Sequence, residues 1–371
     1  MFKSKLQFWT FEILLIVLII FVSTQISFIF KPIGTFVSTL FFPVLISGFL
    51  YFLFIPIVRL LEKIKIPKAL AIIILYAIFV GLVTLLGALV GPALSKQVTD
   101  LADNMPQYVD QIRTLINDLS NSKGFKWIVT QDYVSIEKVE NSLVDFFSNF
   151  TKNITSSLAT IFGVITNITL TIVTVPFILF YMLKDGHKFP NALIRFLPQT
   201  YRKQGLTIID DTGETLATYI QGQIIVCIFV GVCTYIGYLI IGLPYGLVLA
   251  ILGAITNIIP YVGPFIGAAP AVVIGLFGSP TLAILVIVVI VVVQQLDGNF
   301  ISPLVIGKRL DLHPLTIIII LLVAGNLAGI LGMILGVPVY AVSKTIVLNI
   351  AKFVKLRSQY KKGLRNEDIE L

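Results

Sequence analysis

Charged side chains are scarce within the apolar runs of the last third of this chain, yet Gln294, Gln295, Asp297 and Asn299 fall almost together. They follow the apolar, β-branched run Thr281–Val293 and precede Pro303. One carboxylate and three amides can bind a cation, carry a proton or hydrogen-bond a small polar solute. Such groups are costly in hydrocarbon, so inside a bilayer they must face a cavity or a protein partner. The alternative is a hydrated strip at a membrane exit that caps the next turn. Asn257 and Asn326 each stand beside a predicted helix break. An amide there either satisfies freed backbone groups or lines a path.

Other chemistries lack their residues. The chain has no Gly-x-Ser-x-Gly, no His-Glu-x-x-His and no Walker or dinucleotide loop. No pair of carboxylates sits at catalytic spacing inside an apolar run. Cys227 and Cys233 are six apart and do not share a helix face at i+3 or i+4 spacing. They read as small lipid- or protein-facing residues. His187 and His313 are far apart, with no second His or Cys nearby, so no metal site is expected. Only His313 could pair with Asp297, and it precedes a proline at a predicted turn. The expectation is a non-enzyme without cofactor. The missing ATP site argues against a primary pump.

These residues need elements to hold them, and the composition says which solvent those elements meet. Of 371 residues, 57% are hydrophobic and 12% charged, against roughly 25% charged in a soluble domain. Mean hydropathy is +0.98. A water-soluble globule of this length could not hide so much apolar surface. That excludes a soluble enzyme, a disordered chain and a disulfide scaffold. An integral membrane protein with a lipid bilayer as its partner remains. No cleavable signal pattern follows the apolar residues 11–22. The net charge of +8 points to the cytoplasmic face of a bilayer and not to nucleic acid.

Residues 1–95 hold three apolar runs, Phe11–Phe30, Ile33–Leu61 and Ala69–Leu94, each long enough for a core of about 30 Å. Residues 96–157 carry six basic and eight acidic residues. Val98, Leu101, Met105, Val109, Ile112, Ile116 and Leu119 recur there at helical spacing, as do Ile136, Val139, Leu143, Phe146 and Phe150. This reads as two amphipathic helices in a small extracytoplasmic domain, which either cap the fold or form an assembly surface. A fourth span occupies 158–183. Residues 184–222 form an amphipathic cytoplasmic segment in which Asp210, Asp211 and Glu214 are expected to complement a helix N-terminus. Residues 223–350 are the C-terminal membrane core, opened by a fifth span, Gln223–Ile241. Residues 351–371 are a basic cytoplasmic tail.

Within that core the helix breaks concentrate. Pro260, Gly263, Pro264 and Gly267 interrupt 246–277, and Gly325, Gly329, Gly332, Gly336 and Pro338 interrupt 314–350. Gly-x-x-x-Gly spacing recurs at 87/91, 242/246, 263/267, 325/329 and 332/336, which predicts close helix approach, mainly in the last third. The basic loops place both termini inside. Two layouts follow. Either 246–277 and 314–350 each cross once, giving about eight spans and Lys308 and Arg309 outside, or both are broken re-entrant hairpins entering from opposite faces. The second layout satisfies the charge bias better and builds a mid-membrane site. The expected fold is an all-α polytopic membrane protein of about eight helices, broken or re-entrant in its C-terminal third. The broken helices are the expected gates.

The ordered motifs resemble one family. They are Tyr181-Met-Leu-Lys-Asp-Gly186, Tyr219-Ile-Gln-Gly-Gln223, Pro260-Tyr-Val-Gly-Pro-Phe-Ile-Gly267, Gln295-Leu-Asp-Gly-Asn299, Pro303, Gly307, Leu312-His-Pro-Leu315, Gly325, Gly329, Gly332 and Val337-Pro-Val-Tyr-Ala341. Together they are similar to the AI-2E family of bacterial transporters over nearly the whole chain. The family often has Glu-Asn where this chain has Asp297-Gly298-Asn299, so the charge is kept on a shorter side chain. The resemblance implies a multi-pass protein of the bacterial plasma membrane and a homo-oligomer, a pentamer among the options. It also implies transport, either export of a small solute such as autoinducer-2 or Na+(Li+)/H+ antiport. Antiport would use Asp297. A neutral, polyol-like solute would use Gln294, Gln295 and Asn299. A non-transporting membrane scaffold built on 96–157 is the alternative of another class.

Overall fold

The computed structural model describes residues 5–25, 27–121, 169–306 and 313–367, and every regular element among them is helical. In chain order these are α1 (Lys5–Gln25), α2 (Ser27–Lys63), α3 (Lys68–Asn121), α4 (Thr169–Asp185) and α5 (Lys188–Leu193). Two 3-10 turns, Ile194–Phe196 and Gln199–Tyr201, lead into α6 (Arg202–Ile240). Then come α7 (Gly246–Thr256), α8 (Val262–Gly278), α9 (Pro280–Leu296), a π-helical turn (Asp297–Ile301), α10 (Ser302–Val305) and α11 (Pro314–Glu367).

Among the described residues, five helical stretches are long and apolar enough, by length and composition, to cross a membrane: Gly34–Lys63, Lys68–Asn104, Arg202–Ile240, Pro280–Val305 and Pro314–Ala351, the last of them broken at Ala328–Gly329. Large apolar side chains point outward along them; Val80 is 62% exposed and Leu89 68%. Water does not tolerate such a surface over many turns, whereas lipid does. The chain is an all-α polytopic membrane protein.

Helices α2, α3 and α4 form one bundle. Val58 of α2, Ala71 and Ile72 of α3 and Leu183 of α4 bury together. Ser47 donates to the Val175 carbonyl at 3.1 Å, and Tyr76 donates to the Pro176 carbonyl at 2.7 Å. Pro56 sits inside α2 and has no N–H to offer the Phe52 carbonyl one turn back. The Gln221 side chain of α6 donates to that carbonyl at 2.6 Å. A defect in one helix thereby becomes the joint to the next.

The charge pattern changes at residue 96, but the backbone does not; α3 runs unbroken from Lys68 to Asn121. Its extension lies on the C-terminal core. Leu101 buries among Tyr238, Leu249 and Ala271. Gln97 Oε1 accepts from the N–H groups of Leu247 and Val248, the orphan donors of the first turn of α7. The stripe around Leu101 thus finds a partner within its own chain. The second amphipathic set, Ile136–Phe150, and the start of the fourth span lie outside the described residues.

The expected capping by Asp210, Asp211 and Glu214 is corrected. α6 begins at Arg202 and has no acid in its first turn. The 3-10 turn through Tyr201 hands directly into the helix, so the acids fall in its interior. Asp211 instead accepts from Asn349 Nδ2 of α11 at 3.0 Å.

Both broken segments double back. A Cβ on Gly267 would lie 2.6 Å from Gly253 Cα, so α8 returns antiparallel against α7 at backbone contact. Between them the chain turns through Asn257–Tyr261, with Tyr261 at φ 61. α11 is two arms, since Ala328 (φ −139) and Gly329 (φ 60) are non-helical. Ile320 and Gly336 would stand about 24 Å apart on a straight helix. Here a Cβ on Gly336 would lie 3.0 Å from Ile320 Cγ2. The close approach expected at 263/267 and 332/336 is present. At 87/91 nothing stands within 4 Å of either glycine.

Candidate functional site

The π-turn follows from what precedes it. α9 is a run of Val, Ile and Leu ending in Gln294-Gln295-Leu296, and Asp297-Gly298-Asn299 then breaks the apolar pattern. The Ser302 N–H donates to the Asp297 carbonyl five residues back. The Ser302 hydroxyl donates to Asp297 Oδ1 at 2.8 Å. A π-turn widens the helix by one residue, and such bulges gather at functional sites.

Opposite the turn stands α6. Tyr219 and Gln223 lie one turn apart on one face, 5% exposed each. Gln223 Nε2 donates to the Asn257 carbonyl at 2.7 Å. That carbonyl lies at the C-terminus of α7, where carbonyls lose their helical partners. Asn257 is itself 4% exposed. The Cys227 thiol, one turn beyond Gln223, faces the side chains of Gln223 and Asn257. The Tyr219 hydroxyl is buried and has no hydrogen-bond partner.

Between these elements lies a cavity of about 1040 Å³. Its polar wall is Tyr219, Gln223, Asn257, Tyr261, Gln294, Gln295, Asp297 and Ser302; the rest is largely apolar, including Val226, Phe265, Ile287, Ile290, Ile317 and Val337. Asp297 is the one carboxylate among the described lining residues, and no Lys, Arg or His joins it there. The hairpin turn closes one side. Ile259 buries with Tyr219, Ile220, Leu321 and Val337, which joins the turn to both arms of α11.

Four of the six polar candidates therefore line one space: Asn257, Gln294, Gln295 and Asp297. Asn299 is exposed and donates to Gln295 Oε1 at 3.2 Å. Asn326 is exposed near the turn of α11, away from the cavity lining. Of the break residues, Pro260 and Pro264 line the cavity, and Gly263 and Gly267 hold α8 against α7. Gly325, Gly332 and Gly336 hold the arms of α11, Gly329 turns it, and Pro338 is buried in the returning arm. His313 Nδ1 accepts from the Leu315 N–H at 3.3 Å. Tyr219, Gln223 and Ser302 join the four polar candidates in the lining although the sequence pattern does not mark them as path residues. The i, i+4 pair of polar groups on an apolar helix was the available signal for the first two.

A family model described as AI-2E family transporter matches residues 16–352. The chain is similar to YueF of Bacillus subtilis, provisionally named a transport protein, at 59% identity over 97% of each chain. It is similar to PerM of Escherichia coli, provisionally named a permease, at 30% identity over 84% of this chain and 88% of that one. TqsA of Escherichia coli, named an AI-2 transport protein, is 24% identical over 85% of this chain and 86% of the relative. Breadth of match and ordered geometry agree, and this chain belongs to the AI-2E transporter family.

Proposed function

We propose that the chain carries a small, polar, uncharged solute of the autoinducer-2 kind through the cavity between α6, the α7–α8 hairpin and the π-turn. The cavity's lining carries this reading. It holds hydroxyl, amide and one carboxylate group on an apolar wall, the mix of a small-molecule site. Its volume suits a metabolite rather than a bare ion. The name of TqsA supplies the solute class.

α7 has 11 residues, about 17 Å at 1.5 Å each, short of a hydrocarbon core of about 30 Å. That supports a re-entrant α7–α8 hairpin; the basic loops are the ground for reading both termini as cytoplasmic, with the protein in the plasma membrane and the two hairpins entering from opposite faces. Access would alternate by movement of these hairpins against α6.

Cation/proton antiport takes second place. Its support is Asp297 alone, the one carboxylate among the described lining residues, and its Oδ1 already accepts from Ser302. The test is flux in proteoliposomes loaded with autoinducer-2 or with Na+ and a pH-sensitive dye. Solute efflux with no cation-driven pH change is expected. The reverse pattern would replace this reading with antiport, and no flux of either kind would favour a scaffold.

A further inference from the structure

A second surface lies away from the cavity, on the link between α4 and α6. Phe189, Leu193 and Phe196 recur at i, i+4 and i+7, one helical face. They are 63%, 41% and 89% exposed, whereas Ile194 turns inward at 8%. Side chains of this size are rarely left in water in a row. Beside them stand five cations, Lys184, Lys188, Arg195, Arg202 and Lys203, and one carboxylate, Asp185. Lys188 pairs with Asp185 at 2.7 Å, so the excess charge of the link stays positive.

The link's level is set by its neighbours. It begins just after Leu183, which buries with Val58, Ala71 and Ile72 where α2 ends and α3 begins. Arg59, Lys63, Lys65 and Lys68 mark that same end. The apolar stripe therefore lies at the end of the bundle where α2 ends, α3 begins and α4 ends, a level where Lys and Arg outnumber the acids.

We propose that residues 186–203 lie in the membrane interface as an amphipathic anchor that binds anionic lipid headgroups. The stripe enters the acyl boundary while Arg195 and Lys203 meet the headgroups. Apolar stripe and positive charge together select an anionic lipid surface over a free anion, which would leave the phenylalanines in water. The anchor leads directly into α6, so it sets the depth of the helix that carries Tyr219 and Gln223.

The test uses the full chain with Trp9→Phe and Trp127→Phe and a reporter at Phe196→Trp, reconstituted in vesicles. Leu193→Trp is the second reporter if the first variant does not fold. Strong quenching by lipids brominated on the acyl chain and weak quenching by acrylamide are expected. Brominated phosphatidylglycerol should quench at least about twofold more than brominated phosphatidylcholine at equal fraction, and Arg195→Gln with Lys203→Gln should bring the two to parity. A tryptophan open to acrylamide and silent to brominated lipid overturns the proposal. So does one shielded from both, which would show a protein partner or a second copy on this face. Equal quenching by the two lipids in the parent overturns it as well.

Discussion

Ser302 holds Asp297 twice. Its hydroxyl donates to the carboxylate at 2.8 Å, and its N–H donates to the Asp297 carbonyl across the π-turn. The extra residue of that turn brings side chain and backbone of the same pair into register. The one carboxylate among the described lining residues thus has a fixed direction.

The first prediction separates charge from hydrogen bonding at this position. Asp297→Asn keeps an oxygen for the Ser302 hydroxyl and should retain solute flux within about threefold. Asp297→Ala removes the acceptor of the half-buried Ser302 hydroxyl and should lose flux by about tenfold. Complete loss in Asp297→Asn, read in the same proteoliposome assay, would mean that the charge itself is transported against.

Tyr219→Phe removes a buried hydroxyl that has no partner in this conformation. Thermal unfolding in detergent should show equal or higher stability, by up to about 1–2 kcal/mol. A clear loss would reveal a bond that forms to this hydroxyl.

Gly267→Ala places a methyl 2.6 Å from Gly253 Cα. The hairpin must open, at about 1–3 kcal/mol. Gly87→Ala meets nothing within 4 Å and should leave the melting temperature unchanged. Equal effects of the two would contradict the antiparallel packing of α8 on α7.

Gln221→Leu orphans the Phe52 carbonyl and should cost about 1–3 kcal/mol. In a Pro56→Ala background the residue at 56 regains an N–H for that carbonyl, and the cost should fall by about 1 kcal/mol. An additive double-mutant cycle would show that the two residues do not share this carbonyl.

Tyr108 lies on the α3 extension, beyond the apolar span. It stacks on Phe277 with ring centroids 4.8 Å apart and shares a 3.2 Å hydrogen bond with Tyr245. Burial first, then the bond to Tyr245, pushes its phenol above the ordinary range. A raised folded value stabilises fully below the unfolded value of about 10 and fades as pH rises beyond it. Alkaline melting curves should therefore steepen above pH of about 10, and Tyr108→Phe should flatten them while keeping the stack. Unchanged curves in the variant would remove Tyr108 as the cause.

Much was legible in one dimension because its physics is local. Apolar runs, loop cations and the Pro/Gly interruptions around 257–267 and 325–338 identify a polytopic all-α chain with broken helices. Solvent preference and helix-breaking act residue by residue. The strip Gln294–Asn299 was visible for the same reason, as polar groups on an apolar run. The cavity was not. Only the folded chain brings Tyr219, Gln223, Asn257 and Asp297 to one wall, because that requires the α7–α8 hairpin to turn beside α6. It also separated Asn299 and Asn326 from the cavity, although their residue types matched. The pairing of Gln221 with Phe52, 169 residues away, shows why: a carbonyl freed by proline needs a donor, but which donor reaches it is decided by packing.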